Sequence, residues 1–124
     1  MTHVADTSML VAVFDASDPR REDARAWVAS AARAVVPTEI LVETLGVIKV
    51  KAGRKAAVAA LDGLVRLPNV TWSECCDFQA ALKHYRRFPS LSLPDAIVVH
   101  ECIARGAEPL TFDEAQRRAI AKAR

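Results

Sequence analysis

The chain has 124 residues, of which 52% are hydrophobic and 26% charged, and its formal net charge is +2. These values predict one globular domain over residues 1–124 and argue against a disordered chain. The apolar stretches are shorter than the ~20 residues of a membrane-spanning helix, and we expect no signal peptide. Three cysteines without a CxxC spacing indicate reduced thiols in a cytoplasmic protein rather than disulfides or zinc.

Segments with strand-like and helix-like patterns alternate along the chain. Short apolar segments predict strands at 3–6, 33–38, 69–72 and 108–112. Helical spacing of apolar residues predicts helices at 7–15, 19–32, about 39–51, 54–67, 74–88, 95–106 and 113–123. Thr38 and Ser73 are predicted to cap the third and fifth of these helices. The alternation predicts an α/β fold with a mostly parallel central sheet of about four short strands flanked by helices. In such sheets, reactive groups collect at the carboxyl ends of the strands.

Four acidic residues lie among apolar neighbours at or near the places where predicted strands end or in predicted helices. They are Asp6, Glu43, Asp95 and Asp113. If they converge, an effective dielectric constant near 20 and separations of roughly 6 Å give ~2–3 kcal/mol of repulsion per pair. A hard divalent cation with oxygen ligands would offset that repulsion. The acids therefore indicate metal-dependent hydrolysis of phosphodiester bonds, with Mg²⁺ or Mn²⁺ as the ion.

Most of these acids also have an ordinary structural explanation. Asp6 can cap the helix that follows it, and the sequence from Ser92 to Asp95 resembles a capping box. Thr111 can cap the last helix in the same way. Glu43 is more telling, because it lies within an apolar stripe of its helix and would need a partner or a ligand there.

Four segments, taken in order, resemble a known family: DTSMLVAVF, PTEILVETLGVI, LSLPDAIVVHECIARGAE and LTFDE. They are similar to the PIN-domain ribonucleases, and most closely to the VapC-type toxins of toxin–antitoxin pairs. Two departures are that the closing strand common in the family has no counterpart after the last predicted helix, and that Pro94 precedes the third acid.

The resemblance implies specific roles for residues of this chain. It places the first acid at Asp6, the helix glutamate at Glu43, the third acid at Asp95, and the fourth at Asp113 in the T-x-D pattern that begins at Thr111. Asp6 and Asp95 would be direct ligands of Mg²⁺ or Mn²⁺, and the other two acids would complete the site directly or through water. Ser8 could hold a metal-bound water or a phosphate oxygen.

The resemblance also implies an RNA substrate, a small antitoxin that binds the chain, and a homodimer. RNA binding would need basic residues around the acids, and each of the basic clusters can equally be a solvated helix face. These clusters are Lys49, Lys51, Arg54 and Lys55; Lys83, His84, Arg86 and Arg87; and Arg117, Arg118, Lys122 and Arg124.

Two alternative functions stay open at the level of sequence. An aspartate-based phosphatase would use Asp6 as its nucleophile, but Ser8 stands where such sites commonly have a second acid. A non-catalytic interaction domain would use the acids only to cap helices. The presence of all four acids argues against that second alternative without excluding it.

Overall fold

The computed structural model describes residues 1–75 and 77–124, and within them it contains four strands and seven helices. In chain order these are β1 (Thr2–Ala5), α1 (Thr7–Phe14), α2 (Arg21–Ser30), β2 (Arg33–Pro37), α3 (Thr38–Ala52), α4 (Arg54–Val65), β3 (Val70–Ser73), α5 (Phe78–Arg87), α6 (Leu93–Arg105), β4 (Glu108–Leu110) and α7 (Glu114–Ala123). Cys76, which falls inside the predicted helix 74–88, lies outside the described residues.

The strands form one sheet in the order β3-β2-β1-β4, and every neighbouring pair is parallel. The prediction of an α/β fold with a parallel sheet of about four short strands is confirmed. Because the strands run in the same direction, their carboxyl ends lie along a single edge of the sheet. At that edge Ala5 pairs with Leu110 and Pro37 pairs with Ser73.

The core is built from the sheet and the helices that cover it. Val4 of β1 and Val35 of β2 are fully buried, as are Met9 of α1 and Val98 and Val99 of α6. They belong to one apolar cluster, and burying each such side chain stabilises the fold by about 1.5–3 kcal/mol. This packing fixes α1 and α6, which carry side chains of the site described below.

Two predicted helix caps are wrong, because one residue lies inside a helix and the other inside a strand. Thr38 is the first residue of α3 and not its cap, and its hydroxyl donates to the carbonyl oxygen of Ser73 at 3.4 Å. Ser73 is the last residue of β3. The cap of α5 is Asp77, whose side chain accepts from the backbone N–H of Ala80 at 3.0 Å.

Other helix boundaries follow from local chemistry. α6 begins at Leu93, two residues earlier than predicted, because Ser92 caps it. It ends at Gly106, which has the left-handed conformation (φ 60°) that glycine adopts without strain. Gly53, with φ 89°, separates α3 from α4. Within the described part of the chain, no helix combines the length and the apolar character needed to cross a membrane.

Candidate active site

A cleft of about 350 Å³ opens beside the carboxyl ends of β1 and β4. All four predicted acids line it, although they come from four separate segments of the chain. The residues around it are Asp6, Thr7, Ser8, Val11, Asp18, Arg20, Glu43, Val47, Lys51, Asp95 and Asp113. The structure therefore brings the predicted acids together, while their chemical role stays a prediction.

Asp6 is the most buried of these acids, with only 3% of its surface exposed. It follows β1 directly and caps α1, since its Oδ1 accepts from the backbone N–H of Met9 at 2.9 Å. The Ser8 hydroxyl lies 2.9 Å from Oδ1 and 3.1 Å from Oδ2. The Thr111 hydroxyl donates to Oδ2 across the sheet edge. These contacts fix the orientation of the carboxylate.

Burial raises the pKa of Asp6 above its ordinary value of 3.8, because the charged form loses hydration. The hydrogen bonds from Thr111, Met9 and Ser8 oppose this rise, and the nearby charge of Asp95 adds to it. The ionised form of Asp6 is thus less favourable in the buried cleft than in water. A cation bound beside Asp6 would favour that charged form and offset the repulsion from Asp95, which is the smaller cause of the rise.

Asp95 lies in the first turn of α6 and is part of a complete capping box. Its backbone N–H donates to the Ser92 hydroxyl at 3.2 Å, and its Oδ2 accepts from the Ser92 N–H at 3.1 Å. The sequence predicted this box. The other carboxylate oxygen, Oδ1, accepts from the side-chain amide of Gln116 on α7 at 3.3 Å. Asp95 is therefore held by two helices, and it can act both as a cap and as a site residue.

Asp113 caps α7, since its Oδ1 accepts from the N–H groups of Ala115 at 2.9 Å and Gln116 at 3.4 Å. The predicted cap was Thr111, which is wrong. Thr111 lies one residue beyond β4, and its hydroxyl instead accepts from the N–H of Asp113 at 2.9 Å while donating to Asp6. One hydroxyl thereby connects two acids of the cleft.

Glu43 projects into the cleft from α3, together with Val47 one turn later. Glu39, which the sequence assigned to the first turn of the same helix, is not part of the described cleft lining. The assignment of the chemical role to Glu43 and of an ordinary role to Glu39 stays a prediction. α3 thus contributes one carboxylate, and the sheet edge, α6 and the start of α7 contribute the others.

Five further polar residues belong to the described part of the site and were not predicted as part of it. Four of them line the cleft: Thr7, Asp18, Arg20 and Lys51. Arg20 is paired with Asp18 at 3.3 Å, and its guanidinium stacks 4.4 Å over the ring of Phe112. The fifth is Gln116, which is fully buried and donates to Asp95. Lys51 had been noted only within a basic cluster, and, except for Thr7, no spacing in the sequence connects any of them with the acids.

The donor set of the cleft fits a hard divalent cation. Its potential ligands are carboxylate and hydroxyl oxygens, and no histidine or cysteine is among the described residues that line it. Oxygen donors alone favour Mg²⁺ or Mn²⁺ over Zn²⁺ or Cu²⁺. Burial also disfavours the charged form of Asp6, which a bound cation would favour.

The chain resembles known proteins over nearly its whole length. The family model of the PIN domain matches residues 4–122. The chain belongs to the PIN-domain family. Among solved structures, it is similar to the Mycobacterium tuberculosis toxin VapC20, described as cleaving the sarcin–ricin loop, with a TM-score of 0.78 and 23% identity over 96% of this chain and 95% of that one. No curated protein matches the chain.

A second solved structure is VapBC2 from Rickettsia felis, bound to a DNA fragment from the promoter of its own genes. The TM-score is 0.68 and the identity 12%, over 96% of this PIN-domain chain and 93% of the other. At these identities the two likenesses establish a shared fold. The predicted resemblance to the PIN domain is confirmed, and the fold is also that of VapC-type proteins.

Proposed function

We propose that this PIN-domain protein is a metal-dependent endoribonuclease and the toxin of a type II toxin–antitoxin pair, acting in the cytoplasm. We take residues 1–124 as one PIN-like domain. The observation that carries the proposal is that Asp6, Glu43, Asp95 and Asp113 converge on one cleft with an oxygen-only donor set. Four acids with merely local capping roles would have no reason to share one cleft, because each would raise the energy of the others.

Asp6 and Asp95 would hold the cation directly, since their charges interact and both are fixed in place, Asp6 at the edge of the sheet and Asp95 in the first turn of α6. Bound Mg²⁺ or Mn²⁺ would supply a lowered pKa for a coordinated water and positive charge for the leaving oxygen. Ser8 and Thr111 keep the Asp6 carboxylate in one orientation. Glu43 and Asp113 are available to bind through water and to accept a proton from the attacking water.

RNA is the proposed substrate. Arg20 and Lys51 bring positive charge to the rim of an otherwise acidic cleft, where the phosphates of a nucleic acid would enter. VapC20, whose fold this chain shares, is itself described as cleaving the sarcin–ricin loop. We extend ribonuclease activity, but no particular RNA or cleavage sequence, to this chain.

The proposed protein partners are a small antitoxin and a second copy of the chain. Valine side chains are exposed along α3 and α4, among them Val42 (67% exposed) and Val50 (89% exposed). An apolar depression lined by Val11, Phe14 and Ile48 lies nearby. Apolar surface of this kind is typical of protein interfaces. VapBC2 is a complex of a toxin-type chain with its antitoxin.

The nuclease proposal is tested by cleavage of total RNA with and without Mg²⁺ or Mn²⁺. We expect wild-type protein to cleave only with the metal, and Asp6→Asn to lose at least about two orders of magnitude in rate. Asp62→Asn is the matched control, because Asp62 is an exposed acid on α4 outside the cleft. Metal-independent cleavage, or equal activity of Asp6→Asn, would contradict the proposal.

The partner proposal has its own measurement. Light scattering should show a dimer that Val50→Lys weakens, because the new charge would be buried in the interface. Co-purification with the small protein encoded next to this gene tests the antitoxin. If the chain is monomeric and binds no such protein but still cleaves RNA, the nuclease proposal stands. The proposal that it is the toxin of a toxin–antitoxin pair is then contradicted.

A further inference from the structure

A second group of potential metal ligands lies away from the acidic cleft. The Sγ atom of Cys75, a ring nitrogen of His100 and a carboxylate oxygen of Glu101 all lie within 4.8 Å of one another. Cys75 belongs to the segment between β3 and α5, while His100 and Glu101 are consecutive on α6. None of the three is in the described lining of the acidic cleft.

The chemistry of this group differs from that of the cleft. It offers one sulfur, one nitrogen and one oxygen, a donor set that favours Zn²⁺ over Mg²⁺. Around a tetrahedral zinc ion such donors lie about 3.4–3.6 Å apart, given typical bond lengths. The observed separations, all within 4.8 Å, exceed these values by at most about 1.4 Å.

Burial and supporting contacts also suit a metal site. Glu101 is fully buried and His100 is 8% exposed. The Arg105 guanidinium donates to Oε2 of Glu101 at 2.7 Å and to the Ser73 hydroxyl at 2.5 Å. A carboxylate ligand can keep one oxygen on such a donor while the other binds an ion, and supporting bonds of this type orient metal ligands.

The third cysteine serves as an internal comparison. Cys102 is fully buried on the same helix, yet among the described residues its sulfur is not one of the adjacent ligand atoms. Cys75 is only partly buried and supplies the sulfur of that group.

We propose that Cys75, His100 and Glu101 form a zinc site that connects the segment after β3 to α6. A water molecule completes the tetrahedron. Because the ligands come from two separate segments of the chain, ion binding stabilises the folded state by linkage. The site is separate from the acidic cleft and does not depend on the proposed nuclease activity.

The test uses Co²⁺ as a coloured probe for zinc, added to the reduced, metal-stripped chain in the presence of millimolar Mg²⁺. We expect one equivalent to produce the thiolate-to-cobalt absorption and the intense visible bands of a tetrahedral ion, and one equivalent of Zn²⁺ to abolish them. No sulfur atom belongs to the described lining of the acidic cleft, so an ion bound there is not expected to give the thiolate absorption. A weak octahedral spectrum without that absorption would overturn the proposal.

Single substitutions test which side chains bind the ion. Cys75→Ser should abolish the thiolate absorption and His100→Gln should weaken zinc binding at least about 10-fold, as should Arg105→Gln through the loss of its support for Glu101. Cys102→Ala and His3→Gln should bind as wild type does. Circular dichroism of the metal-free variants confirms that they fold. Retention of the absorption in Cys75→Ser would show another thiol to be the ligand and would refute this assignment.

Discussion

Thr111 donates a hydrogen bond to the carboxylate of Asp6, although 105 positions separate the two residues. The parallel register explains the contact. Ala5 pairs with Leu110, Asp6 follows Ala5, and Thr111 follows Leu110. The Asp6 N–H also donates to the Leu110 carbonyl at 3.2 Å, which extends the ladder by one bond. The most buried acid of the cleft is therefore positioned by the sheet itself.

Replacing Asp6 by Asn should stabilise the metal-free protein at neutral pH. The pKa of Asp6 in the folded chain is above 3.8, so the folded state binds this proton more readily than the unfolded state does. The resulting penalty is present above the folded pKa and disappears as the pH falls towards 3.8. We therefore expect the variant to have a higher Tm than wild type at pH 7.

Thermal melts of both proteins between pH 4 and 8 in a chelator give the measurement. The gain should shrink towards the acid end, because the folded wild-type protein takes up the Asp6 proton more readily there. Added Mg²⁺ should raise the Tm of wild type more than that of the variant, since binding to the folded state alone stabilises it. A variant that is less stable than wild type at every pH would contradict this account of the cleft.

Thr111→Val should impair the site through Asp6. The hydrogen bond from Thr111 lowers the pKa of that carboxyl, so its loss should move the acid limb of the activity profile to higher pH. Leaving a buried carboxylate without this partner should also cost about 1–3 kcal/mol. Thr111→Ser keeps the hydroxyl and should retain the wild-type profile. The pH dependence of RNA cleavage and urea unfolding measure the two effects.

Gln116→Met should weaken metal binding with little effect on the fold. The amide of Gln116 donates to Asp95, while its Oε1 is buried without a hydrogen-bond partner among the described residues. An apolar side chain of similar size removes the donor and also that unsatisfied oxygen, so the two effects on stability largely cancel.

The measurement is the Mg²⁺ concentration that gives half-maximal cleavage. We expect it to rise about 10-fold or more, as for other groups that support metal ligands, while the free energy of unfolding changes by less than about 1 kcal/mol. Gln116 would be a purely structural residue if stability fell and the metal requirement stayed the same.

Lys51→Gln should reduce the salt dependence of RNA binding. Lys51 lines the cleft and is 3.6 Å from Asp15, in an exposed pair that contributes little to stability. If it contacts one phosphate of single-stranded RNA, the slope of log affinity against log salt should fall by about 0.7.

Fluorescence anisotropy in the inactive Asp6→Asn background measures this slope without cleavage. Lys55→Gln is the matched control, because Lys55 is an exposed lysine on α4 outside the cleft. Equal slopes for Lys51→Gln and the control would show that this lysine does not meet the RNA backbone.

Some site features were predictable because their causes are local. The capping box of Ser92 and Asp95 depends on a segment of four consecutive residues, and the structure contains it. Glu43 was distinguished from Glu39 by the apolar residues around it. The predicted caps Thr38 and Ser73 failed for a non-local reason, since Ser73 is paired with Pro37 in the sheet. Local propensity cannot register such pairing.

The sequence by itself determined the alternation of strands and helices, hence a parallel sheet, and it placed acids at strand ends and helix starts. Only the tertiary structure decided which distant side chains meet, because strand order and register are set by packing over the whole core. Gln116 reaches Asp95, and Cys75 reaches His100, by that packing alone. No periodicity along the chain records contacts of this kind.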